Sequence, residues 1–303
     1  MTKKAILLFV AASGLLFSCK EDHSATNPAK KTYQVNFNVS GITEQIIGST
    51  GKKQQINSLQ TNVATGITAS IGVLYYFIYD SKGALVSQLT QDSTTANFGT
   101  ISSNLTAGTY TIVFVGGKSA LNMVLTDDLS TADIEGYPTG YVPWKDTFID
   151  KFQLVVSTSS ITQTVVLSRI VGELSINILD KLPANANSIA LTVSNEFENY
   201  SFLDKAPYGT SAPYTATFTV PTSAIGTESF KRSLIMINTT LPFTATIVCY
   251  DANKKIIAQS IVTNVSLLVN TQTILTGYLF GADSGFNISL NQGWDPNTIN
   301  FQF

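Results

Sequence analysis

Apolar and polar residues alternate with a period of two along most of this chain. Tyr33, Val35, Phe37 and Val39 fall on one side of an extended segment, and Gln34, Asn36, Asn38 and Ser40 on the other. Successive side chains of a strand point to opposite faces of its sheet, so this pattern describes half-buried β-strands. Residues 109–116, 152–156, 174–178, 189–193, 215–220 and 286–290 repeat it or run apolar for a strand's length, with Val, Ile, Thr, Tyr and Phe filling them and Gly, Asn, Asp and Pro between. No stretch of about a dozen residues carries a 3.6-residue apolar stripe. Short helical turns are expected only at residues 222–225 and 127–134. The chain is expected to be all-β.

Two segments resemble each other. Tyr79-Asp80-Ser81-Lys82-Gly83-Ala84-Leu85 and Tyr250-Asp251-Ala252-Asn253-Lys254-Lys255-Ile256 each follow an apolar strand, turn through Asp, and return as an apolar strand. Both read as hairpins. Each is preceded by an alternating strand (33–40 and 172–180) and followed by an apolar strand ending in Gly (111–116 and 274–281). Two copies of one β-sandwich explain this pattern. The boundary falls near Ser168, giving domains at 32–168 and 169–303 joined by a short apolar link that predicts a rigid junction. Residues 41–70 are polar and weakly patterned, a long connection for a compact domain and therefore one with a task of its own or a mobile one.

The N-terminal residues form a separate signal. Lys3 and Lys4 precede an apolar run over residues 5–17, about 13 residues, which suits a signal peptide (1–18) and is short for a membrane-spanning helix. The run ends at Leu16-Phe17-Ser18-Cys19, which resembles a bacterial lipobox, although Phe17 is bulkier than the usual residue there. That resemblance implies cleavage after Ser18 and diacylglycerol on Cys19. Several acyl chains, each worth about 0.8 kcal/mol per buried CH₂, make such an anchor long-lived. Residues 19–31 cannot bury apolar surface and read as a solvated tether. Its Lys20-Glu21-Asp22 resembles the surface-export signal of Bacteroidetes lipoproteins.

Composition narrows the function classes. Charged residues are 13% of the chain and the formal net charge is −2, with no basic patch of the kind nucleic acid requires. If Cys19 carries lipid, Cys249 has no partner within a monomer and reads as a buried small hydrophobe. The sole histidine, His23, lies in the tether, which removes Ser-His-Asp and Cys-His arrangements and His-based metal sites. No catalytic residue, metal ligand or cofactor is expected. Asp127, Asp128, Asp133 and Glu135 form the densest acidic cluster, but their spacing matches no calcium loop and they read as a solvated loop.

The lipobox with its acidic followers, the first strand ending in Val39-Ser40-Gly41, the Tyr79-Asp80-x-x-Gly83 hairpin and the segment Leu167-Ser168-Arg169-Ile170-Val171-Gly172-Glu173-Leu174 together resemble the fimbrillin superfamily of Bacteroidetes, the stalk, accessory and anchor subunits of type V pili. The resemblance spans nearly all of the mature chain. It implies two tandem transthyretin-like antiparallel sandwiches, an outer-membrane lipoprotein facing the cell exterior, and a fimbrial or adhesive role through contacts with homologous subunits.

In that family an arginine-specific protease removes the first strand of polymerising subunits, and a neighbour's strand fills the groove. This chain departs from the pattern. Its only arginines, Arg169 and Arg232, lie far from the first strand. The dibasic pair Lys52-Lys53 is the alternative cleavage site. An unprocessed anchor or accessory subunit fits better than a stalk subunit. The second reading is a glycan-binding surface lipoprotein of a polysaccharide-uptake system, in which Tyr137, Tyr141 and Trp144, on a Pro-stiffened stretch, stack on host or environmental sugars; the competing role for these rings is to cap a sandwich. The terminal residues Ile299-Asn300-Phe301-Gln302-Phe303 alternate, as a last strand or one offered to a partner.

Overall fold

The computed structural model describes residues 30–43, 67–136, 144–209, 211–281 and 284–291. Apart from two short 3₁₀ turns, at Ile67–Ala69 and Thr222–Ala224, the regular structure is all strand. The second turn coincides with one of the two expected helical segments. Residues 127–134 instead form turns leading into a short strand, because the Asp128 carboxylate binds the Ser130 N–H and hydroxyl locally at 2.8 and 2.7 Å.

The first half of the chain supplies β1 (Thr32–Thr43), β2 (Val73–Tyr79), β3 (Leu85–Asp92), β4 (Thr100–Thr106), β5 (Gly108–Gly117), β6 (Asn122–Val124), β7 (Asp133–Glu135), β8 (Thr147–Val156) and β9 (Ile161–Arg169). Seven of these join in the order β3-β2-β5-β8-β9-β1-β4. The β8–β9 link is only the two pairs Phe148↔Arg169 and Ile149↔Ser168, so the sheet turns a corner there and becomes two facing layers. Alternate residues point between the layers: Val35, Phe37 and Val39 from β1, Leu74, Tyr76 and Ile78 from β2, and Ile112 and Phe114 from β5. The rings of Phe37, Tyr76 and Phe114 meet at centroid distances of 4.9–5.5 Å.

The second half supplies β10 (Gly172–Ile178), β11 (Ser188–Glu196), β12 (Asn199–Ser201), β13 (Ala206–Tyr208), β14 (Ala212–Thr219), β15 (Phe230–Met236), β16 (Phe243–Tyr250), β17 (Ile256–Val265), β18 (Gln272–Tyr278) and β19 (Gly285–Asn291). Sheets β15-β10-β18-β19 and β14-β11-β16-β17 enclose a second apolar core. The pairing logic is that of the first half. β1 runs antiparallel to β4 and parallel to β9, and β10 runs antiparallel to β15 and parallel to β18. The order β14-β11-β16-β17 likewise matches β3-β2-β5-β8. The chain builds the same transthyretin-like sandwich twice.

The sequence repeat that suggested two copies sits, however, on non-equivalent strands. The hairpin at Asp80 joins β2 to β3, whose counterparts are β11 and β14. The hairpin at Asp251 joins β16 to β17, the counterparts of β5 and β8. What the two segments share is local turn chemistry. Asp80 Oδ1 accepts from the N–H groups of Lys82 and Ala84 at 2.8 and 3.0 Å, and Asp251 Oδ1 from those of Asn253 and Lys255 at 2.9 and 2.8 Å. Each turn also places one residue at positive φ, Gly83 at 89° and Lys254 at 63°.

Candidate functional site

Ordinarily a sheet in a two-layer sandwich buries one face and wets the other. The β3-β2-β5-β8 sheet buries both faces of its two central strands. Phe77 and Tyr79 from β2, and Val113 and Val115 from β5, point away from the first core into a third apolar cluster. The covering residues come from both halves: Leu129, Ile134 and Trp144 from the first, and Tyr200, Phe202 and Ile237 from the second. Ile170 and Val171, the two residues between β9 and β10, are buried in the same place. The Phe77 and Phe202 rings lie 5.5 Å apart.

This seam is tied by backbone as well. A small sheet ordered β13-β12-β7-β6 draws two strands from each half, with β7 and β12 paired through Glu135↔Asn199, Ile134↔Tyr200 and Asp133↔Ser201. Trp144 is 3% exposed, and its indole N–H donates to the Phe197 carbonyl across the seam at 3.0 Å. Gly136 lies against that ring; a Cβ there would fall 2.4 Å from an indole carbon.

A polar group is sealed into the same junction. Arg169, at the end of β9, is 3% exposed. Its Nε and Nη2 donate to the two carboxylate oxygens of Asp146 at 2.8 and 3.2 Å, and its Nη1 donates to Asn270 Oδ1 from the second half. The guanidinium carbon sits 4.9 Å from the Phe148 ring centroid. Guanidinium geometry matches a carboxylate edge to edge, which is why arginine rather than lysine serves at a buried junction. Next to it Glu173 Oε1 accepts from Ser175 Oγ at 2.8 Å and Gln272 Nε2 at 2.6 Å.

Two further acids at the seam are held out of water. Glu196 is 2% exposed. Its Oε1 accepts from the N–H groups of Phe197, Ile237 and Asn238 at 3.0–3.2 Å, while its Oε2 is buried with no hydrogen-bond partner among the described residues. Burial pushes this carboxyl up to about 8 against the three N–H donors that favour its charge. Asp133 accepts from the Tyr208 hydroxyl, and burial raises its carboxyl too.

The sequence-derived sites distribute as follows. Cys19, Lys52, Lys53, Tyr137 and Tyr141 lie outside the described residues. Trp144 offers no ring face to a sugar, because the seam has closed over it; the stacking expectation is corrected for that residue. The acidic cluster is dispersed, with Asp133 buried against Tyr208 and Glu135 accepting from Asn122 at 2.7 Å. Among the described residues no group of acids, cysteines or histidines could hold a metal ion. Cys249 is buried in the second core, where desolvation pushes its thiol up to about 11, far from a reactive thiolate. Arg169 is enclosed, and Arg232 lies within β15, stacked 4.3 Å over Phe230. Sequence reasoning missed the seam, although its signal was present. Residues 73–79 and 112–117 carry no charged or hydroxyl-aliphatic side chain and do not alternate, the pattern of strands buried on both faces.

What the surface presents is strand edges. β3, β4, β14, β15, β17 and β19 each end a sheet. β15 carries Lys231 and Arg232, and β14 carries Pro213, both of which discourage pairing with another strand. β4, β17 and β19 carry neither a charge nor a proline.

A family of unknown function, DUF6562, matches residues 72–302. The chain belongs to that family. No curated protein matches it. Among solved structures it is similar to the fimbrial anchor protein Mfa2 of Porphyromonas gingivalis, at 14% identity and a TM-score of 0.51 over 87% of this chain and 98% of that one. A candidate adhesin from Bacteroides thetaiotaomicron gives 11% identity and a TM-score of 0.55 over 87% and 97%. A candidate polysaccharide-binding protein from the same organism gives 8% and 0.58 over 86% and 96%. These likenesses establish the shared fold of the DUF6562 chain, two sandwiches in tandem.

Proposed function

We propose that this DUF6562 chain is a cell-surface fimbrial anchor or accessory subunit, non-enzymatic, lipid-anchored through Cys19 to the outer membrane and acting through contacts with homologous subunits. The observation that carries the reading is the end-to-end likeness to a fimbrial anchor protein, which covers both sandwiches rather than one. The lipobox-like segment ending at Cys19 supplies the anchor, and the uncharged edge of β4 supplies a place where another chain's strand can pair. The two sandwiches are read as tandem domains meeting near Ser168.

The distribution of basic residues supports an unprocessed subunit. Arg169 is sealed between Asp146 and Asn270, and Arg232 sits within a strand of the second half, so neither offers an arginine-specific protease a route to removing β1. Lys52-Lys53 remains the alternative cut. The glycan-binding reading loses the support of Trp144, whose ring is buried.

The test is a Cys19→Ala strain examined by cell fractionation and electron microscopy. The proposal predicts that the protein, with any fimbriae it holds, moves from the envelope to the medium. Unchanged envelope retention would overturn the anchor role.

A further inference from the structure

We propose that the outer face of the β14-β11-β16-β17 sheet is a docking surface for a second copy of this chain. The register fixes its composition. Thr215, Thr192, Thr246 and Ile261 lie side by side across the four strands. Toward the β16–β17 turn the same face presents Tyr250 beside Ile256. Ile256 and Ile261 are 51% and 57% exposed, among the most exposed large apolar side chains described. Among Asp, Glu, Lys, Arg and His the four strands carry only Glu196, and it is buried in the seam.

Three features select a second copy as occupant. A twofold contact sets a surface against itself, so like charges would oppose each other across it; this face has none. A threonine hydroxyl both donates and accepts, so a lattice of threonines is complementary to its own image, as the Thr192–Thr215 hydroxyl pair at 2.8 Å already illustrates between neighbouring strands. Finally, the equivalent sheet of the first half, β3-β2-β5-β8, buries its corresponding face against other parts of this same chain. In the second half no apolar cluster of the described residues lies over that face, although Ala190 and Val248 within it are 4% and 6% exposed.

The extent of the face sets the strength of the contact. Four strands about 4.8 Å apart and three rungs about 7 Å apart give roughly 300–400 Å² per copy. Two copies would bury roughly 600–800 Å² in total, below the ~1,200 Å² of a stable standard interface. The contact therefore forms where copies are concentrated, as on one membrane, and not in dilute solution. This assignment rests on the proposed membrane anchoring but not on the fimbrial role.

The test is crosslinking in whole cells expressing the full chain with Thr192→Cys, using a membrane-permeant bismaleimide with a spacer of about 10 Å. Wild type reports any background from Cys19; Cys249 is buried with a raised thiol. Thr192→Cys is expected to give a band of twice the chain's mass, at least fivefold above wild type. Ile261→Lys in the same background should abolish it while the envelope level of the protein stays unchanged, since Ile261 faces solvent. Ser102→Cys, on the outer face of β4, should give no such band. Absence of the dimer band, its persistence with Ile261→Lys, equal crosslinking from Ser102→Cys, or a product of a different mass would each overturn the assignment.

Discussion

The β3-β2-β5-β8 sheet and the β14-β11-β16-β17 sheet are the same element of the same sandwich, yet their outer faces differ in kind. In the first, Phe77, Tyr79, Val113 and Val115 are 3% exposed or less. In the second, the corresponding strands place half-buried Thr192 and Thr246 beside a strongly exposed Ile261. The fold sets the pairing of strands and the inner rows of side chains, and leaves the outer rows free. An aromatic outer row binds the two halves into one packed body, and a threonine row leaves the other sheet open.

If the seam is what joins the halves, Arg169→Ala should break the contrast most severely. Asp146 would be left buried without its partner and Asn270 without its donor, at a cost of about 3–5 kcal/mol. Urea unfolding should show this loss, together with a transition that separates into two because the halves no longer unfold together. A single transition displaced by less than about 1 kcal/mol would show that the seam does not depend on this group.

The pH dependence should come next. Glu196 has a folded-state value of about 8, above its ordinary 4.5, so the folded chain holds a proton that the unfolded chain releases between those values. Its contribution is complete below about pH 4.5 and is lost as pH rises toward 8, a fall of a few kcal/mol at most. Glu196→Gln should flatten the stability profile over that window in denaturation series at pH 5, 6.5 and 8. An unchanged slope would mean that Glu196 is not the group responsible.

Gly136→Ala should be smaller, about 1–3 kcal/mol, since the added methyl must displace the Trp144 indole from its place beneath the seam. Loss of near-ultraviolet tryptophan ellipticity would report the displacement directly. Smallest of all, Ile261→Lys should alter stability by less than about 0.5 kcal/mol, because this outer row carries no part of the core. A larger loss would mean that the open face is covered in a way its exposure does not reveal.

These differences also mark what was legible in the sequence. The strands were, because alternation reports a half-buried sheet directly: the inner row Val35, Phe37 and Val39 could be named from spacing alone. The double sandwich was inferred correctly, but from hairpins that share only an aspartate-bound turn. A turn is specified by a handful of adjacent residues and says little about which sheet position it serves. The seam depended on contacts that spacing does not report. Arg169 meets Asp146 across 23 residues and Asn270 across 101. Trp144 was the converse case, since an aromatic beside prolines reads equally as an exposed platform or a buried cap, and only packing from the other half decides.

β1 is where the proposed role and the fold meet. It is the central strand of the β9-β1-β4 layer, and its Val35, Phe37 and Val39 are at most 4% exposed. A retained anchor keeps β1 in place. Cleavage at Lys52-Lys53 would separate β1 from the rest of the chain and open that layer to another subunit's strand. Mass spectrometry of the mature amino terminus, on protein taken from the cell surface, distinguishes the two. The proposal predicts an acylated Cys19; an amino terminus near residue 53 would contradict it.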